Sequence, residues 1–78
     1  MTTLDKIKPG HGGVIQNVNG SGALRRRLLD MGLTPKTKIF VNKVAPMGDP
    51  MELSLRGYVL TLRSDDANNI DVIAEELL

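Results

Sequence analysis

The sequence predicts a mostly-β fold, a small and strongly bent barrel of about five antiparallel strands with one inserted α-helix. Three observations indicate this class. Short runs of alternating apolar and polar residues recur between turn signals, one segment alone has helical periodicity, and no helix separates the later strands. A parallel doubly wound sheet needs more elements than this. The 78 residues are expected to form a single domain, 1–78.

The segment before the helix predicts a loop followed by one strand. Residues 3–9 lead into the glycine-rich stretch 9–13, where glycine permits positive φ at little cost. Val14–Val18 is predicted as a short strand that ends at the turn cluster 19–22. Within that cluster, Ser21 is predicted as the N-cap of the helix that follows.

The helix is predicted over residues 23–31. Leu24, Leu28 and Met31 recur at spacings of four and three, so they fall on one side of a helix. Gly32 follows at the position where a left-handed residue commonly ends a helix. This side of the helix is therefore expected to face the core.

The middle of the chain predicts a strand, a loop and a β-hairpin. Residues 38–44 are rich in β-branched and aromatic side chains. Residues 45–50 contain two prolines, which forbid regular strand pairing. Residues 51–55 and 58–62 each alternate between apolar and polar, and the turn residues 56–57 connect them as a hairpin.

The end of the chain predicts a short helical turn and a last strand. Residues 64–69 contain Ser, Asp and Asn, which can cap one helical turn, and residues 70–74 alternate as a strand. Closing such strands into a barrel would remove the exposed edges that invite aggregation.

Composition excludes several classes of function. The chain has no cysteine, so it forms neither a disulfide framework nor a thiolate metal site, and a cytoplasmic location fits best. No apolar run exceeds three residues, so neither a signal peptide nor membrane insertion is expected. The net charge is only +1, and Phe40 and Tyr58 are the only aromatic residues. Nucleic acid is therefore not an expected partner.

Catalytic groups are scarce. His11 is the only imidazole, so a metalloenzyme site or a serine nucleophile with its base has little to be built from. Asp49 and Glu52 could in principle form a carboxylate pair, but a barrel this small leaves little room for a cleft. The sequence therefore predicts a binding module and no enzyme.

The three consecutive arginines of the helix are the densest charge on the chain. They point in directions about 100° apart, which is typical of a solvated helix. The alternative is a partner-binding surface. Leu29 lies about 140° from Leu24 on the helical wheel, between Arg25 and Arg26, so it is expected outside the core stripe. Arginine beside an apolar anchor is common at interface centres.

The loop before the hairpin is the second candidate for partner binding. It consists of Met47, Gly48, Asp49, Pro50 and Met51. An ordered loop with two flexible thioethers could serve as an adaptable contact site. A tight turn without further function accounts for the same residues equally well.

Three segments together resemble the family of ferrous iron transport protein A. They are RRLLDMGL at 26–33, APMGDP at 45–50 and RGYVLTLR at 56–63. The opening LxxIxPG and the closing Ala67 with Ile70-Asp71-Val72 are also similar to that family. The resemblance covers nearly the whole chain.

The resemblance implies an SH3-like barrel and a cytosolic accessory role in bacterial ferrous iron uptake. The partner it implies is the membrane ferrous iron permease with a cytosolic GTPase domain, known as protein B. Family members are also described as transition-metal-binding domains, and similar domains occur in iron-dependent repressors. Under this alternative no cofactor is required, but His11, Asp49 and Glu52 would hold Fe²⁺ or another divalent transition metal weakly. Association into a homo-oligomer stays open.

Overall fold

The computed structural model describes residues 1–75, which form one antiparallel sheet and two helices. The six strands are β1 (Thr2–Thr3), β2 (Gly12–Val18), β3 (Lys38–Val44), β4 (Met51–Leu55), β5 (Tyr58–Leu62) and β6 (Ile70–Glu75). The helices are α1 (Gly22–Asp30) and α2 (Ser64–Ala67). Along the sheet the strands follow the order β1-β6-β2-β3-β4-β5. Neither helix in this part of the chain has the length and apolar character needed to span a bilayer.

The predicted mostly-β fold with one inserted helix and a short helical turn is confirmed. The five predicted strands correspond to β2 through β6. Strand β1 was not predicted, because a two-residue strand has no alternation of apolar and polar residues that could be recognised. β1 forms through its pairing with β6, where Thr2 lies opposite Val72.

The sheet is bent, but its two ends are not joined by a strand ladder within residues 1–75. Register shifts occur between Ile15 and Asn17 and between Val41 and Lys43, and irregularities of this kind bend a strand and increase its twist. The predicted small barrel of antiparallel strands is confirmed as a strongly bent sheet, but within the described residues its two edges stay unpaired, so the expected removal of the strand edges is not observed. β1 and β5 are the edge strands.

Strand β2 begins at Gly12, two residues earlier than predicted, because glycine there serves close packing. A Cβ atom at Gly12 would lie 2.6 Å from the carbonyl oxygen of Ile39 in β3. A Cβ atom at Gly13 would lie 2.7 Å from the carbonyl oxygen of Ile73 in β6. These contacts are too short for a side chain, so the glycines allow both neighbouring strands to approach β2 closely.

The core is apolar and includes residues from five strands, both helices and the N-terminal turn. The buried hydrophobic residues are Leu4, Ile7, Ile15, Val18, Leu28, Leu33, Ile39, Val41, Met51, Leu53, Leu55, Leu62, Ala67, Ile70 and Val72. The predicted helix stripe is confirmed, since Leu28 is fully buried and Leu24 and Met31 pack against the core. Burial also alternates along β4, as the hairpin pattern predicts.

Helix α1 spans Gly22–Asp30, so it begins and ends one residue earlier than predicted, and Ser21 and Gly32 flank it as expected. Ser21 occupies the N-cap position, but its hydroxyl makes no capping hydrogen bond, so that part of the prediction is wrong. At the other end, Gly32 has φ +99°. Its N–H donates to the carbonyl of Leu29 at 3.0 Å, and the N–H of Leu33 donates to the carbonyl of Leu28 at 3.2 Å. This paired arrangement around a left-handed glycine stops the helix and directs Leu33 into the core.

Candidate interaction surface

The loop between β3 and β4, residues 45–50, presents Met47 to solvent. A short 3-10 turn spans Pro46–Gly48, and Met47 within it has φ +67° and a fully exposed side chain. The N–H of Ala45 donates to the carbonyl of Pro50 at 2.9 Å, which closes the base of the loop. The loop therefore holds a flexible thioether on an ordered base.

Met51 does not belong to this exposed surface. Only 1% of its surface is accessible, and it is the first residue of β4. Its side chain points to the same face as Leu53 and Leu55, because side chains two residues apart share a face of a strand. The prediction that Met51 contacts a partner is therefore wrong, whereas Pro50 is exposed as that prediction requires.

Asp49 connects the loop to α2. Its Oδ1 atom accepts a hydrogen bond from the backbone N–H of Ser64 at 3.1 Å. Its Oδ2 atom lies 3.8 Å from the Nη2 atom of Arg63, which forms a long ion pair. Asp49 thus holds the loop in place, and its carboxylate faces the N-terminus of a helix.

Glu52 lies on the outer face of β4, where it contacts β3. Its Oε2 atom accepts a hydrogen bond from the Nδ2 atom of Asn42 at 3.1 Å. Its Oε1 atom lies 3.7 Å from the Nζ atom of Lys43. Asn42 also exchanges hydrogen bonds with the hydroxyl of Ser54, so Glu52 is part of a polar network across two strands.

His11 lies in a separate groove of about 460 Å³, whose lining includes Lys6, Lys8 and Glu75. Within residues 1–75, no three side chains of His, Cys, Asp or Glu are close enough to share a metal ion. The expectation that His11, Asp49 and Glu52 together hold a metal is therefore not met. Although Asp49 and Glu52 are three residues apart, Asp49 faces α2 and Glu52 faces β3.

The three arginines of α1 have different environments. The Nε atom of Arg25 donates to the carbonyl of Val18 at 3.0 Å. The Nη2 atom of Arg27 donates to the Oδ2 atom of Asp66 at 3.0 Å. Arg26 is exposed and makes no side-chain hydrogen bond or ion pair with the described part of the chain. Their expected divergence on the helix agrees with these separate partners.

Leu29 is half-buried and packs against the core, so its predicted position outside the core stripe is wrong. The helical wheel treats a helix as packing along one side. Here the last turn of α1 runs directly into the Gly32–Leu33 reversal, whose residues return to the core. The core consequently covers more than one side of that turn, and Leu29 is not an exposed anchor between Arg25 and Arg26.

Helix α2 connects the two predicted segments. At its N-terminus, Ser64 binds Asp49 of the loop. Two residues later, Asp66 binds Arg27 of α1. We call the loop 45–50, α2 and the exposed arginines of α1 the α2 surface. The sequence did not indicate this connection, because Asp49 and Arg27 are distant in the sequence from the residues of α2 that they bind.

A second groove of about 370 Å³ lies beside the loop. Its lining consists of Lys43, Val44, Ala45, Pro46, Pro50, Met51, Glu52 and Thr61. Lys43 pairs with Glu52, and Glu52 pairs with Thr61, so one row of three adjacent strands forms its floor. The sequence predicts the hairpin, and the hairpin register places Glu52 opposite Thr61. Their position beside the loop could not be predicted, because it depends on the order of the strands in the sheet.

Comparison with known proteins identifies a family model described as "FeoA domain", which matches residues 2–74. The chain is 36% identical over 69 residues to a protein of Porphyromonas gingivalis named Fe(2+) transport protein A/Fe(2+) transporter FeoB fusion protein. The match covers 88% of this chain and 8% of that relative. The chain therefore corresponds to a small part of the fusion protein.

Solved structures share the fold. The FeoA-like protein from Clostridium acetobutylicum is 35% identical, with TM-score 0.84, over 99% of this chain and 87% of that one. FeoA from Chlorobium tepidum is 38% identical, with TM-score 0.82, over 91% and 68%. Stenotrophomonas maltophilia FeoA complexed with zinc, described as an SH3 domain protein, is 21% identical, with TM-score 0.81, over 94% and 91%. The expected SH3-like fold is confirmed.

Proposed function

The chain belongs to the FeoA family, and from this premise we propose that it is a cytoplasmic accessory protein of ferrous iron uptake that binds the FeoB-type transporter. The observation that carries the proposal is the fusion in Porphyromonas gingivalis, where a segment similar to this chain and an FeoB transporter form one polypeptide. Fusion keeps two modules at a high effective concentration, which favours modules that bind one another. The family is one of transport accessories and not of enzymes.

We assign the contact to the α2 surface, with Met47 at its tip. A flexible thioether on an ordered base can adapt to a partner at little conformational cost to the backbone. Arg26 adds an exposed guanidinium without a competing partner in the described residues, and arginine is enriched at interfaces. Asp49 contributes by holding the loop against α2.

The proposed effect on the transporter is a shift between two of its states. A bound accessory protein changes such an equilibrium only if it binds one state more tightly than the other. We propose the cytosolic GTPase domain of the transporter as the region bound, since this is the part accessible to a cytoplasmic partner. A protein that shifts this equilibrium by binding the transporter needs neither a catalytic group nor a bound cofactor of its own.

The Stenotrophomonas relative is complexed with zinc, but its likeness to this chain is one of fold. At 21% identity, that structure supports the shared fold and not a shared metal site. The described residues also contain no group of three metal-ligating side chains. The fusion with an FeoB transporter favours binding to the transporter as the function.

Isothermal titration of the protein with the purified cytosolic region of its transporter tests the proposal. We expect saturable binding, weakened at least tenfold by Met47→Asn, because asparagine tolerates the left-handed backbone at this position but lacks the thioether. Ile73→Thr is the matched control, since it removes an exposed apolar side chain from β6. If the unaltered protein shows no binding, the proposed function is wrong. If Met47→Asn binds normally, the contact lies elsewhere.

A further inference from the structure

Strand β5 has one free edge within the described residues, because β4 is its only neighbour in the sheet. Leu55 and Tyr58 pair across the two-residue turn of the hairpin. In an antiparallel ladder, hydrogen-bonded and non-hydrogen-bonded pairs alternate from such a turn. The N–H and C=O groups of Val59 and Thr61 consequently point away from β4, toward the free edge.

This edge lacks the features that normally prevent strand addition. Proteins protect an edge with a very short strand, a charged residue, a proline or a bulge. β1, at the other end of the sheet, has two residues and fits that pattern. β5 has five residues of sequence YVLTL, without charge, proline or glycine, and the Val59 side chain is 57% exposed. Its sequence is favourable for β-pairing.

We propose that the free edge of β5 binds an extended segment of the transporter's cytosolic region as an additional antiparallel strand. The inference rests on the proposed function and defines how the partner is recognised. Main-chain hydrogen bonds from Val59 and Thr61 supply the affinity of such an interaction, and the side chains beside the edge select the sequence.

The charges beside β5 indicate the chemistry of that segment. Arg56 and Arg63 flank the two ends of the strand. Arg56 donates to the neutral hydroxyls of Thr34 and Thr37, each at 2.8 Å, so its charge is not neutralised by them. The Arg63 side chain is 76% exposed, and its ion pair is long. A partner strand with a β-branched centre and acidic residues at both ends complements this arrangement.

A second copy of this chain fits the edge poorly. If two copies paired symmetrically as antiparallel strands centred on Leu60, Arg63 of one copy would lie opposite Gly57 of the other copy. It would then be next to Arg56 of that other copy. The two arginines repel one another there, and like charges across strands are destabilising. An acidic segment from a different protein avoids that repulsion.

The edge is also continuous with the surface already assigned to the transporter. Thr61 lines the groove of about 370 Å³ together with Pro46 and Pro50, on either side of Met47 in the loop. A strand added beside Thr61 would therefore lie next to this groove. One segment of the partner can then contact both the strand edge and the loop.

Amide hydrogen exchange by NMR tests the inference on the unaltered protein. With the transporter's cytosolic region bound, we expect exchange at Val59 and Thr61 to slow at least tenfold. The Leu60 amide, which already faces Leu53 of β4, serves as the internal control and should change little.

Binding without protection of Val59 and Thr61 overturns the inference but leaves the proposed function intact. Absence of binding overturns the proposed function itself. Protection that grows with the concentration of the protein alone identifies a second copy as the occupant and overturns the choice of partner.

A pair of variants separates main-chain from side-chain recognition. Val59→Pro removes an N–H that points away from β4, so the hydrogen bonds between β4 and β5 remain. Proline is tolerated on an edge strand in that orientation. Val59→Ala keeps the N–H and shortens the side chain. We expect Val59→Pro to weaken binding at least tenfold and Val59→Ala to weaken it less. Normal binding by a folded Val59→Pro protein overturns the inference. If that variant does not fold, the exchange measurement on the unaltered protein decides.

Discussion

The carboxylate of Asp49 accepts a hydrogen bond at 3.1 Å from the backbone N–H of Ser64, the first residue of α2. The first N–H groups of a helix lack partners within the helix, and a side chain just before the helix usually supplies one. Arg63 occupies that position here and makes no capping bond. The loop supplies the cap from 15 residues away, so the loop and α2 stabilise each other.

Removing this cap should destabilise the domain. Asp49→Ala leaves the Ser64 N–H without its acceptor and also removes the ion pair with Arg63. We expect a loss of about 1 kcal/mol in the free energy of unfolding, which lowers the Tm of a domain this size by about 4–8 °C. Asp49→Asn should lose less, because the amide oxygen can still accept the bond. Thermal unfolding followed by circular dichroism measures both.

Asp65→Ala provides the control for this prediction. Asp65 is exposed in the first turn of the same helix, and its side chain makes no hydrogen bond within residues 1–75. Its removal should change the Tm by much less than Asp49→Ala. Equal losses from both substitutions would mean that negative charge near the helix, and not the hydrogen bond, carries the effect.

Local patterns in the sequence were sufficient for much of the fold. The β4–β5 hairpin follows from alternation around the turn at 56–57, and the end of α1 follows from Gly32. β1 could not be predicted, because it exists only through its partner β6, about 70 residues away. The early start of β2 has the same cause, since Gly12 appears as a turn residue until its neighbouring strands are known.

The candidate site was predictable only in part. The proline-rich composition of residues 45–50 indicates a loop, and Met47 at its centre is exposed. Periodicity alone misplaced Leu29, since the chain reversal after α1 extends the core around that turn. The role of Asp49 depends on a backbone N–H that is distant in sequence. The free edge of β5 depends on strand order, which no local pattern specifies.

Two methionines, one within the loop and one directly after it, should differ strongly in their response to truncation. Met51 is buried in the core, so Met51→Ala creates a cavity and should cost about 2–5 kcal/mol. Met47 is fully exposed, so Met47→Ala should change stability by less than about 0.5 kcal/mol. Urea denaturation measures both values. A large loss from Met47→Ala would show that its thioether packs against the protein in solution.

Leu28 and Leu29 should both contribute to stability, to different extents. Leu28→Ala removes a fully buried side chain and should cost about 3 kcal/mol. Leu29→Ala should cost less, because that side chain is only half-buried, but clearly more than Arg26→Ala at an exposed position. Denaturation of the three variants tests this order. If Leu29→Ala and Arg26→Ala were equally mild, Leu29 would be free of the core after all.

Gly32 should be intolerant of any side chain. It has φ +99°, which disfavours other residues, and a Cβ atom there would collide with the hydroxyl of Tyr58, which donates to the carbonyl of Met31. We expect Gly32→Ala to cost about 1–2 kcal/mol or more in the free energy of unfolding. Gly22→Ala, where a Cβ meets no atom within 4 Å, should be neutral or stabilising.

Tyr58→Phe removes the hydroxyl with which a Cβ atom at Gly32 would collide. In a double-mutant cycle, Gly32→Ala with Tyr58→Phe should therefore cost less than the sum of the single losses. Strict additivity would mean that the backbone conformation alone requires glycine.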